Sequence, residues 1–384
     1  MSSAQDQKLP LDPLPGRWWE RIPPWGAPLV ALVVLGGVTL AIEFLRTGHT
    51  AFITPENLSN IAHNMSFVGI VAIGMTLVIA LGGIDLSVGS LVALSGGLGL
   101  WVTNLVMQAA QNLSGAADNA QIGLAPDVSS VHLWLSRAVV ALGLSGHEGW
   151  ALALGALVAM LTGAAAGWLQ GLIITRGRVA AFIVTLGGFA AFRSLVVALA
   201  DGGTITSTSP LFNTLGQWGL TVPLLHGHAF HLYLSTLVFI LTALVGYVLL
   251  NRMRFGRYLV AIGCNERSAR YSAIPVNRIK ILAYTFIGLL SGLAGLLVAS
   301  YMISVTASQT GSFYELDAIA AVVIGGTRLT GGRGTIVGTV LGVLLLGVIS
   351  NMLNMLDVSN YLQGLVKGII IVAAALLQRR SEAN

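Results

Sequence analysis

The chain has 384 residues, of which 55% are hydrophobic and only 9% charged, and its mean hydropathy is +0.82. A water-soluble fold of this length has no need of so much apolar sequence, so the solvent is lipid. The net charge of +5 does not imply a nucleic-acid partner, because the basic residues lie between apolar runs, and the single cysteine, Cys264, excludes an intrachain disulfide framework or a multi-cysteine metal site.

Residues 1–26 are polar and proline-rich, with Trp18, Trp19 and Trp25 near the first apolar run. They lack the compact apolar core and small-residue cleavage site of a signal peptide. They read as a cytoplasmic tail with an aromatic anchor at the interface, or as a peripheral amphipathic helix.

A bilayer span needs about 20 mostly apolar residues. Such runs occur at Ala27 to Leu45, Met65 to Leu81, Gly89 to Met107, Trp150 to Ile174, Val179 to Leu199, Leu232 to Leu250, Ile279 to Met302, Leu316 to Gly325, Thr335 to Met352 and Tyr361 to Leu377. The expected fold is therefore an all-α polytopic membrane protein of about ten transmembrane helices. The eighth is too short to cross alone and reads as a broken or re-entrant helix. With Lys8, Arg17 and Arg21 inside, the inner links carry Arg176 and Arg178, then Arg252, Arg254, Arg257, Arg267, Arg270 and Arg278, then Arg328 and Arg333, and finally Arg379 and Arg380. The outer links carry mainly Arg46 and Arg137, so the positive-inside rule predicts both termini inside.

The resulting organisation is a transmembrane domain over 27–378, an outer insertion over 109–149, an inner loop over 251–280 and a short inner tail over 379–384. The insertion is rich in Ala, Gly, Ser and Asn, a composition that leans toward disorder. His226, His228 and His231 have a spacing compatible with a metal, but no adjacent acidic or cysteine partner, which favours a solvated loop.

Two segments echo each other. Gly82-Gly83-Ile84-Asp85-Leu86-Ser87-Val88-Gly89 and Gly325-Gly326-Thr327-Arg328-Leu329-Thr330-Gly331-Gly332 share a Gly-Gly-x-x-Leu-Ser/Thr-x-Gly pattern at expected inner helix junctions. Weak internal symmetry of this kind is typical of transporters, although eight glycine-rich residues also match by chance. Gly326 and Gly331 have the spacing of a phosphate loop, yet Gly332 stands where that motif needs lysine. No nucleotide site follows.

Ionisable residues in or beside the spans mark the candidate path: Asp85, Arg193, Glu315, Asp317 and Lys367. Asp85 and Ser87 precede a helix, where capping and substrate contact are both open readings. Asp317 and Lys367 suggest a charge pair across helices, structural or gating. Arg193 reads as a donor to a ligand hydroxyl or an interfacial anchor. Phe182 and Trp168 read as ring-stacking or packing residues, and Glu43 as an interfacial anchor. The inner loop has a helix-compatible stretch at Glu266-Arg267-Ser268-Ala269-Arg270-Tyr271, suited to docking a soluble partner or to topology alone.

Gly82 to Val88, the run Phe255-Gly256-Arg257-Tyr258-Leu259-Val260-Ala261-Ile262-Gly263-Cys264-Asn265-Glu266, and the run from Tyr314-Glu315-Leu316-Asp317 to Gly325-Gly326-Thr327 together resemble the ribose and xylose permease family of bacterial ATP-binding cassette (ABC) importers, within the branched-chain amino acid and monosaccharide permease superfamily. The likeness is collinear from about Asn57 to Leu377 and omits the outer insertion. Cys264 stands where a second glycine is common, and Ala273-Ile274-Pro275 replaces a Gly-Ile-x turn.

The resemblance implies a homodimeric permease in the bacterial cytoplasmic membrane that translocates a monosaccharide and is not itself an enzyme. It implies no cofactor on this chain, with ATP and magnesium on a separate ATPase subunit, and a sugar-binding protein outside. It makes the inner loop the coupling segment, with Arg257, Gly263, Asn265, Glu266 and Ala269 toward the ATPase. The alternative is an ion-coupled secondary sugar transporter using a buried carboxylate such as Asp317.

Overall fold

A computed structural model describes residues 26–48, 51–121, 130–223, 229–359, 362–365 and 368–369. The amino-terminal tail, His49, His226, His228, Lys367, most of the expected last span and the carboxyl-terminal tail lie outside the described residues.

The chain folds as a helical bundle. Its helices are α1 (Gly26–Thr47), α2 (Pro55–Ala80), α3 (Val88–Gln121), α4 (Ser130–Ala141), α5 (Glu148–Arg176), α6 (Ala181–Leu199), α7 (Pro210–Gln217), α8 (Leu234–Tyr247), α9 (Arg254–Cys264), α10 (Glu266–Tyr271), α11 (Val276–Met302), α12 (Tyr314–Ile324) and α13 (Ile336–Met355). A π-helical turn over Val248–Arg252 prolongs α8. Among the described residues, eight helices are long and apolar enough to cross a membrane. Most of the expected last span falls outside those residues. The expected short eighth is α12, whose 11 residues extend about 16 Å against a hydrocarbon core of about 30 Å.

Four strands stand beside the helices. β1 (Thr204–Thr206) pairs antiparallel with β4 (Ser304–Thr306), with Ile205 opposite Val305. β2 (Gly219–Pro223) and β3 (Ala229–Tyr233) form a second antiparallel pair.

Helix α2 is the most enclosed of the eight spans. Its apolar residues face every direction, as expected of a helix with protein on all sides, and it packs against α8, α11, α12 and α13. It begins ten residues before the apolar run that marks it in the sequence. Thr54 caps it by accepting from the Asn57 amide at 3.3 Å, and Pro55 opens its first turn. Two polar residues of these first turns are buried and bonded: Ser59 donates to the His231 carbonyl at 2.6 Å, and the His63 ring meets the Ser235 hydroxyl at 2.6 Å. Glu43, expected to anchor at the interface, instead accepts from the Ala51 and Phe52 amides at 2.7 and 3.0 Å and so closes the α1–α2 turn.

The closest helix pair is α5 with α11. Ala151, Gly155, Ala159, Gly163, Gly167 and Gly171 recur every fourth position on the buried face of α5. A Cβ on Gly163 or Gly167 would run into the carbonyl oxygens of Gly288 and Tyr284. Small residues here let the two backbones touch, which supplies the packing that lipid cannot drive by itself.

Candidate functional site

Two interruptions between helices meet at one end of the bundle. Helix α2 ends at Ala80, and Gly82 then adopts φ +87°. The Gly82 amide donates to the Ile79 carbonyl at 2.8 Å and the Gly83 amide to Val78 at 3.0 Å. Helix α12 ends at Ile324, and Gly326 adopts φ +86°. There the Gly326 amide donates to Val323 at 2.9 Å and the Thr327 amide to Val322 at 3.2 Å. Both are Schellman turns, which need a left-handed residue that glycine adopts at least cost.

The sequence echo aligned Gly82 with Gly325, but the geometry aligns Gly82 with Gly326, one residue on. The second halves of the echo do not correspond at all. Val88 and Gly89 open α3, whereas Gly331 and Gly332 have φ +85° and +79° within a loop.

The two interruptions touch. The Gly332 amide donates to the Ala80 carbonyl at 2.9 Å. A Cβ on Gly331 would sit 2.9 Å from the Gly82 Cα and 3.1 Å from the Gly263 Cα. The end of α9 closes over both: a Cβ on Gly263 would collide with the Ala80 oxygen and the Gly332 nitrogen. Three segments far apart in sequence thus meet backbone to backbone, and only glycine permits it.

The structure divides the expected coupling residues by direction. Gly263 faces the two interruptions, and Ala269 is buried at 4% exposure. Arg257 and Asn265 are exposed and Glu266 half-buried. Asn265 caps α10 by accepting from the Ser268 amide at 3.0 Å. Glu266 is held by Arg270 and Lys280, each at 2.7 Å, which ties α10 to α11. Partial burial pushes the Glu266 carboxyl up, but the hydrogen bonds and charges of Lys280 and Arg270 outweigh it and leave the group below its ordinary value. Helix α10 ends in a third Schellman turn, with Ala273 at φ +59° in the place glycine usually takes.

Residues 83–87 carry the candidate path residues Asp85 and Ser87, both fully buried. Asp85 Oδ1 accepts from the Ser87 amide at 2.9 Å and the Ser87 hydroxyl at 2.7 Å. Gln170 Nε2 on α5 donates to Ser87 Oγ at 2.8 Å, and the Thr185 hydroxyl on α6 reaches the Ile84 carbonyl at 3.3 Å. Asp85 Oδ2, Gln170 Oε1 and the Tyr284 hydroxyl are buried without a hydrogen bond to any described group. Asp85 thus closes a local turn ahead of α3, and one carboxylate oxygen is left over. Gln170 and Tyr284 escaped the sequence reading, although an amide amid the apolar residues of α5 is a usable signal.

Arg193 and Glu315 come together, within electrostatic reach of each other. Arg193 Nη1 donates to the carbonyls of Ala307 at 2.8 Å and Thr310 at 3.0 Å. It therefore braces the β4–α12 connection. Glu315 lies in the first turn of α12 with Asp317. A Cβ on Gly89 would strike the Glu315 carboxylate and the Gly311 carbonyl, so the acid also stands beside the first turn of α3. A carboxylate is favoured at a helix amino terminus.

Asp317 is half-buried, and its expected partner Lys367 lies outside the described residues. Phe182 and Trp168 are 54% and 49% exposed on the outside of the chain. His231 bonds Thr221 at 3.0 Å across the β2–β3 pair. Among the described residues no group of three possible metal ligands occurs.

Against known families, residues 57–375 match the one described as branched-chain amino acid transport system / permease component. The chain is similar to the ribose import permease protein RbsC of Escherichia coli K12, 37% identical over 358 residues, covering 92% of this chain and 93% of that protein. The ribose import permease protein RbsC of Bacillus subtilis 168 is 36% identical, covering 90% and 92%. The xylose transport system permease protein XylH of Escherichia coli K12 is 28% identical, covering 90% of each. No solved structure matches. These likenesses lend no support to an ion-coupled secondary transporter.

Proposed function

The chain belongs to the branched-chain amino acid transport system / permease component family, and from that premise we propose that it is the membrane-spanning subunit of an ABC importer for a monosaccharide of the ribose or xylose kind. It is a multi-pass protein of the bacterial cytoplasmic membrane. In this reading it spans about ten times with both termini inside, works as a homodimer, receives sugar from a binding protein outside and leaves ATP hydrolysis, with its magnesium, to a separate subunit.

The observation that carries the reading is the contact of α9 with both helix interruptions at once. The exposed side of α9 and α10, with Arg257, Asn265 and Glu266, offers polar groups to an ATPase. On the inward side Gly263 rests on Ala80 and Gly332, and Ala269 is buried. Displacing α9–α10 displaces the end of α2 and the Gly331–Gly332 loop together, because backbone lies directly on backbone there. A ligand shifts such an equilibrium only by binding its two states unequally, and ATPase closure supplies that difference at this surface.

Asp85, Ser87, Arg193 and Glu315, joined by Gln170 and Tyr284, flank the path in this account, with Asp317 and Lys367 at its margin. A neutral sugar gives no charge to read, so recognition rests on hydroxyl partners, and Asp85 Oδ2, Gln170 Oε1 and the Tyr284 hydroxyl have bonding capacity to spare.

Uptake of labelled sugar into proteoliposomes, with the ATPase and binding protein added or omitted in turn, tests the proposal. The expected result is uptake that needs ATP and both partners. Uptake by this chain alone down an ion gradient refutes it.

A further inference from the structure

The outer insertion contains α4, whose 12 residues extend about 18 Å and are too short to cross a bilayer. Its position along α3 is fixed by side contacts. The His132 ring meets Trp101 with centroids 5.4 Å apart. After α4 the chain turns back, with the Gly146 amide donating to the Val106 carbonyl at 3.0 Å and the Ala110 amide to the Ser145 hydroxyl at 3.1 Å. Helix α5 then descends, with the Ala151 carbonyl accepting from the Thr103 hydroxyl at 3.3 Å and Gly155 packed on Gly99.

Trp101 therefore lies level with residues 151–155 of α5, below the turn at Val106. The first turns of α4 stand at the depth of a segment that itself belongs to a membrane span. At that depth the helix presents an apolar face outward: Val131 and Trp134 are 63% and 66% exposed, and Leu142 just beyond its end is 72% exposed. These positions recur at helical spacing, while Ser136 on the opposite side is fully buried. Arg137 is exposed at the flank of the face.

We propose that α4 is a lipid-embedded helix, seated in the leaflet that holds the first turns of α5. Acyl chains cover Val131, Trp134 and Leu142, and Arg137 reaches up to headgroup phosphates. A tryptophan and an arginine one turn apart suit the hydrocarbon boundary, since each has an apolar body and a polar tip. A protein partner would have to reach this face below the level of the α3–α5 turn, where lipid already lies against the neighbouring spans. The inference is independent of the substrate and of the ATPase.

The test uses the full chain with Cys264→Ser, which removes the only cysteine. Trp134→Cys and Leu142→Cys are added singly and labelled with a polarity-sensitive dye in phosphatidylcholine vesicles. Leu157→Cys on the exposed face of α5 serves as the lipid reference, and Tyr271→Cys at 90% exposure as the water reference. Lipids brominated in their acyl chains are expected to remove about half of the emission at positions 134 and 142, as at 157, while aqueous iodide leaves it nearly unchanged. Quenching by iodide as at 271 overturns the proposal. Resistance to both quenchers also overturns it, since protein would then cover the face. Leu142→Cys keeps the test decisive if Trp134→Cys does not fold.

Discussion

After the first interruption the chain passes through residues 83–87 into α3, and after the second it passes through residues 327–335 into α13. Both begin with the same Schellman turn, because an α-helix that stops in the interior must satisfy its last carbonyls. They differ in what fills the space beyond. The first is filled by side chains, with Asp85, Ser87 and Gln170 bonded in a buried row. The second is closed mainly by backbone, with Gly331 and Gly332 lying against Gly82, Ala80 and Gly263, beside the buried Thr327 hydroxyl that accepts from the Thr335 amide at 3.1 Å. A shared turn therefore says how a helix ends and nothing about what the following loop does. One interruption should be sensitive to lost polar groups and the other to any added carbon.

The largest effect is expected at Asp85. Asp85→Ala leaves the buried Ser87 amide without its acceptor and should cost about 3 kcal/mol, read as a lower midpoint of thermal unfolding in detergent. Asp85→Asn keeps an acceptor oxygen and should cost clearly less. Equal losses for the two would mean that this interruption is not held by its side chains.

Gly331→Ala probes the other side of the comparison. The left-handed backbone at that position alone penalises alanine by about 1–2 kcal/mol, and the new Cβ must push Gly82 away. The same unfolding measurement should show a loss with no polar group removed. A silent substitution would show that backbone contact is not what closes the second interruption.

Ala273→Gly turns the argument around, since the third Schellman turn already carries a residue with a Cβ. Replacement should stabilise by up to about 1 kcal/mol, because glycine meets no steric penalty there while gaining some freedom when unfolded. An unchanged or lower midpoint would mean that the turn relaxes around alanine.

The smallest effect concerns pH. Glu266 is depressed in the folded protein, so its contribution is present above the ordinary carboxylate value and is lost as pH falls through the lowered one. Solvent screening of this partly exposed cluster limits it to a few tenths of a kcal/mol. Glu266→Gln should lower the unfolding midpoint by that small amount at neutral pH, make no difference once the acid is protonated, and so flatten the acid part of the stability profile.

How much of this was legible in the sequence depended on where each residue's partner sat. The apolar runs located the long spans, and the shortness of the eighth followed from bilayer thickness. The α10 helix was readable because its cap and its Glu266–Arg270 pair are local. The first ten residues of α2 were not, since Ser59 and His63 are buried against β3 and α8, and hydropathy counts a paired polar group as exposed. Strands β1 and β4 pair across most of the central bundle, a contact that no local pattern announces.

Asp85, Ser87, Glu315 and Arg193 stand out in the sequence by charge and position, but the carbonyls that Arg193 bonds carry no side-chain signature. Gly263 entered through family likeness, and only the coordinates show that it faces inward.

That residue offers the most direct test of the account. Gly263→Ala should be measured in the reconstituted complex for ATPase co-purification and for ATP-driven sugar uptake. Because Gly263 rests on the two interruptions, the ATPase should stay bound while uptake falls at least tenfold. Uptake at the unmodified rate with the ATPase still bound would contradict the claim that α9 drives both interruptions through this contact.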